Sequence, residues 1–436
     1  MIPPMLANSK LRGVARALRH RNYQLFFGGQ CISLTGTWMQ NVAQAWLVYQ
    51  LSKSSFLLGL VGFVGQFPVF LLAPLAGHAA DRWSRHRIIV GTQAAMMLLA
   101  LALAAITFSG VVQVWHVVVL AALLGVVNAF DMPARQAFVV QMVGKADLPN
   151  AIALNSSLFN GARIVGPAIA GVLVAAIGEA WCFFANGVSY IAVIAGLLLM
   201  RIEPHVPPPQ TESAIAHIIE GFRWVGRTRP IRALLIQLGI VSLVGMPYAV
   251  LMPIFADRIL HHGATGLGML LGATGVGALA GALRLALRRG TRGLGRSVAF
   301  ATFSFGALLI LFAYSRSFWL SAAILIPVGF AFISQMAGTN TLIQSMVPDT
   351  LRGRVMSVYS MMFMGMAPLG ALAAGIAAAH LGAPLTVALG GAGSCISGAV
   401  FFSRWPSLRA DAKQLLLAQR VPGGSPSDEV SGGQFS

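Results

Sequence analysis

The sequence predicts an all-α membrane protein of about twelve spanning helices in two related six-helix halves. Three observations carry this. Only 10% of the 436 residues are charged and 57% are hydrophobic, with a mean hydropathy of +0.76, whereas a soluble chain carries about a quarter charged residues. Twelve apolar runs are each long enough to cross hydrocarbon, which takes roughly 20 residues per helix. The second six runs also echo the first at an offset of about 204 residues, as internal repeats do.

The first half, 22–200, holds runs at 22–50, 55–80, 88–109, 113–134, 150–178 and 181–200. The second, 231–403, holds runs at 231–256, 264–287, 297–314, 318–346, 354–380 and 384–403. Between them, 201–230 reads as a cytoplasmic linker. Pro204 and Pro207 to Pro209 stop the sixth run, and Ile215, Ile218, Ile219 and Phe222 then recur at helical spacing, suited to a membrane surface. Residues 1–21 form a basic N-terminal segment and 404–436 a polar tail of disorder-prone composition.

A formal charge of +18 raises the question of a nucleic-acid partner, and the placement of the charges answers it. The 30 Lys and Arg residues sit in short clusters at the ends of apolar runs, without the aromatic interleaving of a base-stacking surface. Twenty-six of them fall on the side that holds both termini, while Lys53, Arg258 and Arg316 fall on the other and Arg163 lies within a span. Positive loops face the cytoplasm, so both termini are expected there, in a bacterial-type inner membrane. Cys31, Cys182 and Cys395 lie in separate runs with no metal-ligand or redox spacing, so neither a disulfide framework, a metal nor a cofactor is expected. Short loops and the lack of a soluble module favour a monomer among lipids.

The repeat is clearest where QMVGKADLPNAIALNSSLFNGARIVGPAIAG meets QSMVPDTLRGRVMSVYSMMFMGMAPLGALAAG. Parallel repeats of this kind mark alternating-access transporters, with substrate held between halves near mid-membrane. Between the second and third runs stands GHAADRWSRHRII. This resembles the loop motif of the major facilitator superfamily: Gly77 matches its first glycine, Asp81 and Arg82 its Asp-Arg pair, and Arg85 and Arg87 its trailing basic residues, with Ser84 where glycine is commoner. The resemblance implies the fold of that superfamily, two pseudo-symmetric six-helix bundles, and a cytoplasmic gate in which Asp81 pairs with Arg85 and Gly77 admits a neighbouring helix.

GTWMQNVAQAWLVYQLS, FDMPARQAFVVQMV and VPDTLRGRVMSVYSMMFMGMAPLG are similar to the exporter branch that holds the enterobactin exporter and the macrolide efflux proteins, a likeness running from Tyr23 to Phe402. It implies efflux of a small organic molecule, such as a drug or siderophore, with protons as a coupling ion. Gly161, Gly166, Pro167 and Gly171 in the fifth run are similar to the Gly-Pro element of superfamily antiporters, and Gly365, Pro368 and Gly370 in the eleventh are its counterpart. Proline removes a helix hydrogen bond and glycine permits close packing, so these segments are expected either to hinge or to hold a fixed kink.

Arginine inside a span costs at least about 2.5 kcal/mol. Arg163 therefore needs a partner, and Asp131, near the cytoplasmic end of the fourth run and itself an i,i+4 pair with Arg135, is the acid expected to supply it. Arg163 is expected at the central cavity or inner gate. Amides supply the remaining intramembrane polarity, and Gln40, Asn41, Gln44, Asn128, Asn155, Asn160, Gln237, Gln335 and Asn340 are candidates to line a wet cavity or to bond between helices. With no acid or histidine at mid-span, a proton relay would run through Asp81 and Asp131. The spans contain no HExxH, GxSxG or Walker pattern, so neither an enzyme nor an ATP-driven pump is expected. A lysophospholipid flippase and a non-transporting sensor or scaffold remain as alternatives.

Overall fold

The computed structural model describes residues 16–202, 214–288 and 290–418. The Pro207 to Pro209 segment, Lys10, Arg12 and residues 419–436 of the tail lie outside that range. Among the described residues every regular element is helical, and ten helices are long and apolar enough to cross a membrane.

Helix α1 spans Arg21–Ser52, α2 Ser55–Arg82 and α3 Arg85–Phe108. Helix α4 spans Val114–Ile177, and α5 spans Glu179–Leu198. The linker helix α6 is Ala214–Arg227, followed by α7 (Arg229–Ile259), α8 (Gly263–Ala286) and α9 (Leu294–Tyr314). Helices α10 (Phe318–Met346), α11 (Asp349–Leu381) and α12 (Ala383–Ala418) complete the chain. α1 falls outside the ten because Gln24, Gln30, Gln40, Asn41, Gln44 and Gln50 lower its hydropathy, although its 32 residues suffice to span.

Three elements differ from the sequence expectation, the third being the start of the tail, described below. The polar stretch at 135–149 is helical, so the fourth and fifth runs form one 64-residue helix interrupted at Gly144 (φ 70°, ψ 173°). That left-handed φ is cheap only for glycine, and it turns the chain without a loop. The seventh run is discontinuous: a π turn at Val241–Gly245, a 3-10 turn at Met246–Ala249 and a second π turn at Phe255–Ile259 break α7 around Pro247 and Pro253. Proline forfeits an amide donor, and wider or tighter turns absorb the mismatch.

The chain forms two compact units, one of Met1–Gln210, Ala249–Gly275 and Arg316–Ala322, the other of Thr211–Tyr248, Val276–Ser315 and Ala323–Ser436. In the first, Tyr23, Phe26, Ile89, Phe138, Val193 and Leu197 form a core shared by α1, α3, α4 and α5. In the second, Leu234, Val298, Ile343, Val358 and Trp405 form the equivalent core. Residues 404–418 of the predicted disordered tail are helical, because Trp405, Leu408 and Ala412 bury into that second core. Leu71, Leu98, Leu198, Phe300, Trp319 and Ile396 are exposed, an arrangement suited to lipid rather than water.

Candidate functional site

Asp131 is fully buried in α4. Its Oδ1 accepts hydrogen bonds from Thr92 Oγ1 at 2.9 Å and Gln93 Nε2 at 3.0 Å, both on α3. Arg135, one turn along α4, brings Nη2 to 3.1 Å from Asp131 Oδ2 and donates from Nη1 to Gln30 Oε1 of α1 at 3.2 Å. The carboxylate therefore joins α3 to α4, and Arg135 extends the network to α1. A buried charge is tolerable only when so paired and bonded. Sequence reading nominated Asp131 and Arg135 but missed Thr92 and Gln93, whose adjacent hydroxyl and amide inside an apolar run are the available signal.

Arg163 lies in the second arm of α4, half-buried, with its guanidinium 5.8 Å from the Trp38 ring centre. Phe159 meets the same indole edge-on at 5.5 Å. The ion pair that Asp131 makes is with Arg135, and the contact described for Arg163 is the indole face, a cation–π arrangement. Gly166 explains how α4 comes so near: a Cβ there would stand 2.5 Å from Trp38 Cβ and 2.9 Å from the Thr35 carbonyl oxygen. Two turns of small residues continue the seam onto α8, where a Cβ at Gly268 would stand 2.5 Å from the Pro167 carbonyl oxygen and 2.8 Å from Gly171 Cα.

The remaining hinge candidates divide. Gly161 faces open space, whereas Gly370 is pressed against the Leu243 carbonyl of α7. Gly365 ends a π turn at Met361–Gly365, and Pro368 is buried just beyond it.

The amides also divide. Gln40 Oε1 accepts from Asn186 Nδ2 at 2.7 Å, buried between α1 and α5. Asn155 Oδ1 accepts from Tyr23 Oη at 2.9 Å, Asn160 Nδ2 donates to the Ser156 carbonyl, and Gln237 Nε2 donates to Thr302 Oγ1 at 2.7 Å. Asn340 Oδ1 accepts from Gln344 Nε2. Asn41 is exposed, and Gln44 and Asn128 are half-buried. Gln335 is only 1% exposed, yet among the described residues neither its Oε1 nor its Nε2 has a hydrogen-bond partner. An orphaned buried amide costs about 1–3 kcal/mol, so Gln335→Leu is expected to raise the melting temperature of the purified protein, and a fall would show that the amide is satisfied in solution.

In the loop motif, Asp81 Oδ1 lies 3.8 Å from Arg85 Nη2, and Arg85 donates to the Ala80 and Ala137 carbonyls, tying α2, α3 and α4. Arg82 and Arg87 are exposed. Gly77 admits no close neighbour here, since a Cβ would meet nothing within 4 Å among the described residues.

A second polar cluster in the first unit was not nominated from sequence. Tyr49 Oη, at the end of α1, donates to Asp257 Oδ2 at 2.8 Å, and Lys53 Nζ stands 3.6 Å from the same oxygen and 4.4 Å from the Tyr49 ring centre. Arg258 lies over the other part of that ring at 6.0 Å. The available signal is an Asp-Arg pair on a side otherwise almost free of charge. Tyr49→Phe removes a donor to a charged acceptor, and a loss of about 1.5 kcal/mol is expected in thermal unfolding; an unchanged melting temperature would show the bond to be solvent-replaceable.

Residues 14–423 match the family model described as transmembrane secretion effector. The chain belongs to this family of major facilitator superfamily transporters, and is accordingly a multi-pass membrane transporter and not an enzyme. It is similar to the staphyloferrin A transporter of Staphylococcus aureus (strain NCTC 8325 / PS 47), with 27% identity over 86% of this chain and 95% of that one. It is also 30% identical to the multidrug efflux pump Tap of Mycolicibacterium fortuitum, over 77% and 83% of the respective chains. Among solved structures, a POT family transporter in complex with 5-aminolevulinic acid covers 89% of this chain and 97% of its own, with a TM-score of 0.72 at 10% identity, a likeness of fold.

Proposed function

We propose that this chain is a secondary active exporter of a small organic molecule, a drug or siderophore, working by alternating access across the cytoplasmic membrane. In this reading α4 supplies two spans, so that twelve spanning helices form two six-helix halves, 22–200 and 231–403. Both termini are cytoplasmic, and the protein acts as a monomer among lipids. Similarity to a staphyloferrin A transporter and to Tap pumps supports the substrate class.

The observation that carries the coupling assignment is the fully buried Asp131, held by Thr92, Gln93 and Arg135. A carboxylate in that position exchanges a proton only when its cage opens, which links protonation to a change of conformation. Asp81, exposed beside Arg85, acts at the gate rather than in the relay. Arg163 and Trp38 present a cation and a flat apolar wall to the substrate, a pairing suited to an anionic or aromatic molecule.

The test is accumulation of a dye, a macrolide and a catecholate siderophore in cells expressing wild type or Arg163→Ala, with and without an uncoupler. Uncoupler-sensitive efflux of one compound is expected, reduced about tenfold in the variant, equivalent to about 1.4 kcal/mol of contact. Efflux that ignores the uncoupler would remove proton coupling. Absence of efflux for all three would turn the assignment toward lipid.

A further inference from the structure

The segment before each half's first spanning helix is fastened to the bend that leads into that half's fifth. In the first unit this segment is the turn Arg16–Arg19 and the residue after it. Arg16 Nε donates to Asp147 Oδ1 at 2.6 Å, His20 Nε2 lies 2.9 Å from Oδ2, and Arg19 Nη2 lies 3.4 Å from it. The buried Ala17 donates its amide to Asn150 Oδ1 at 2.8 Å. Both acceptors follow the non-helical Gly144 by a few residues.

In the second unit the corresponding segment is α6. Glu220 Oε1 lies 2.6 Å from Arg354 Nη1. The next residue, Gly221, packs on the backbone of Arg354 so tightly that a Cβ would stand 2.6 Å from its carbonyl oxygen. Under the offset of 204 that aligns Met142-Val143 with Met346-Val347, Ala17 falls on Gly221, Arg16 on Glu220 and Asn150 on Arg354. The two fastenings thus join equivalent segments of the repeat with the sign of the contact reversed: Arg16, Arg19 and His20 meet Asp147 in the first half, and Glu220 meets Arg354 in the second.

We propose that these are matched clasps whose charged members are positioning residues, each holding the bend before the Gly-Pro helix of its own half. The reversed signs match each contact to its own half, because Arg16 in the place of Glu220 would face Arg354, and Glu220 in the place of Arg16 would face Asp147. Several bonds to one carboxylate also hold the first clasp closed well into acid. The hydrogen bond from His20, then that from Arg16, lowers Asp147, which lies outside both spans at the bend, to about 2. A group lowered in this way contributes its full stabilisation above the ordinary carboxylate value of about 4 and loses it only as pH falls toward about 2.

The test uses the full-length protein in detergent and two cysteine reporters one turn or two beyond each bend, Ser156→Cys and Ser360→Cys, both at exposed positions equivalent under the repeat. Their labelling by a water-soluble maleimide needs no substrate, so the result stands apart from the transport reading. Asp147→Arg is expected to change labelling at residue 156 about fivefold and leave residue 360 unchanged, and Arg354→Glu is expected to do the reverse. Reversing the partners as well, Arg16→Glu and Arg19→Glu with Asp147→Arg, or Glu220→Arg with Arg354→Glu, is expected to restore the wild-type rates. Unchanged labelling in the single variants would overturn the proposal. So would failure of the reversed pairs to restore it, because each keeps an opposite charge across its clasp, the first giving up only the His20 bond.

Discussion

Asp131→Asn is expected to abolish uncoupler-sensitive efflux, by about a hundredfold or more, while leaving a folded protein. The amide is nearly isosteric with the carboxylate and still accepts from Thr92 and Gln93, so the meeting of α1, α3 and α4 survives. What disappears is the titratable group. Asp131→Ala is a harsher change, since besides the counter-ion of Arg135, which either variant removes, it takes away the acceptor of Thr92 and Gln93, a loss of about 3–5 kcal/mol in all. The two variants separate function from folding: Asn silences transport at normal yield, and Ala lowers yield and melting temperature together. Wild-type rates for Asp131→Asn under a proton gradient would remove Asp131 from the relay.

Gly166→Leu is expected to prevent accumulation of folded protein. Its Cβ alone would stand within 3.0 Å of Trp38 Cβ, the Thr35 carbonyl oxygen and the Met39 amide nitrogen. Two of these are backbone atoms of α1, which cannot swing aside as a long side chain can. Overpacking against fixed backbone costs about 3 kcal/mol or more. Gly161→Leu, in the same helix and of the same chemistry, places its Cβ in open space and is expected to change stability by about 0.5 kcal/mol or less. Equal behaviour of the two variants in a fluorescence-detected size-exclusion assay would show that close approach of α4 to α1 is dispensable.

The contrast between these two glycines marks how far the sequence could be read. Apolar run length reports the surrounding solvent, so an all-helical membrane protein was legible with no structure at all, and ten helices are long and apolar enough to cross. The i,i+4 pair Asp131 with Arg135 was legible because helix geometry alone makes its members neighbours, whereas Asp81 and Arg85 meet across the break between α2 and α3. Nothing local distinguishes Gly161 from Gly166, because the difference lies in what another helix brings up to each. The same holds for Gln40, bonded to Asn186, and Gln335, bonded to nothing: both are amides in apolar runs, and only the packing partner tells them apart. Thr92, Gln93, Tyr49 and Asp257 were missed for the same reason. Pro247 and Pro253 did announce a break in α7, but a hydrophobicity count weighs proline as one more residue in a run.

That broken helix has a mechanical consequence. The chain passes from one compact unit to the other between Tyr248 and Ala249, inside the 3-10 turn Met246–Ala249 and between the two π turns. A regular α-helix resists bending because each peptide is braced by the one four residues away, and here that bracing lapses over a few consecutive peptides. α7 is therefore one regular rod, Arg229–Ile240, that runs on into a chain of compliant turns holding only three further α-helical residues, Met252–Ile254.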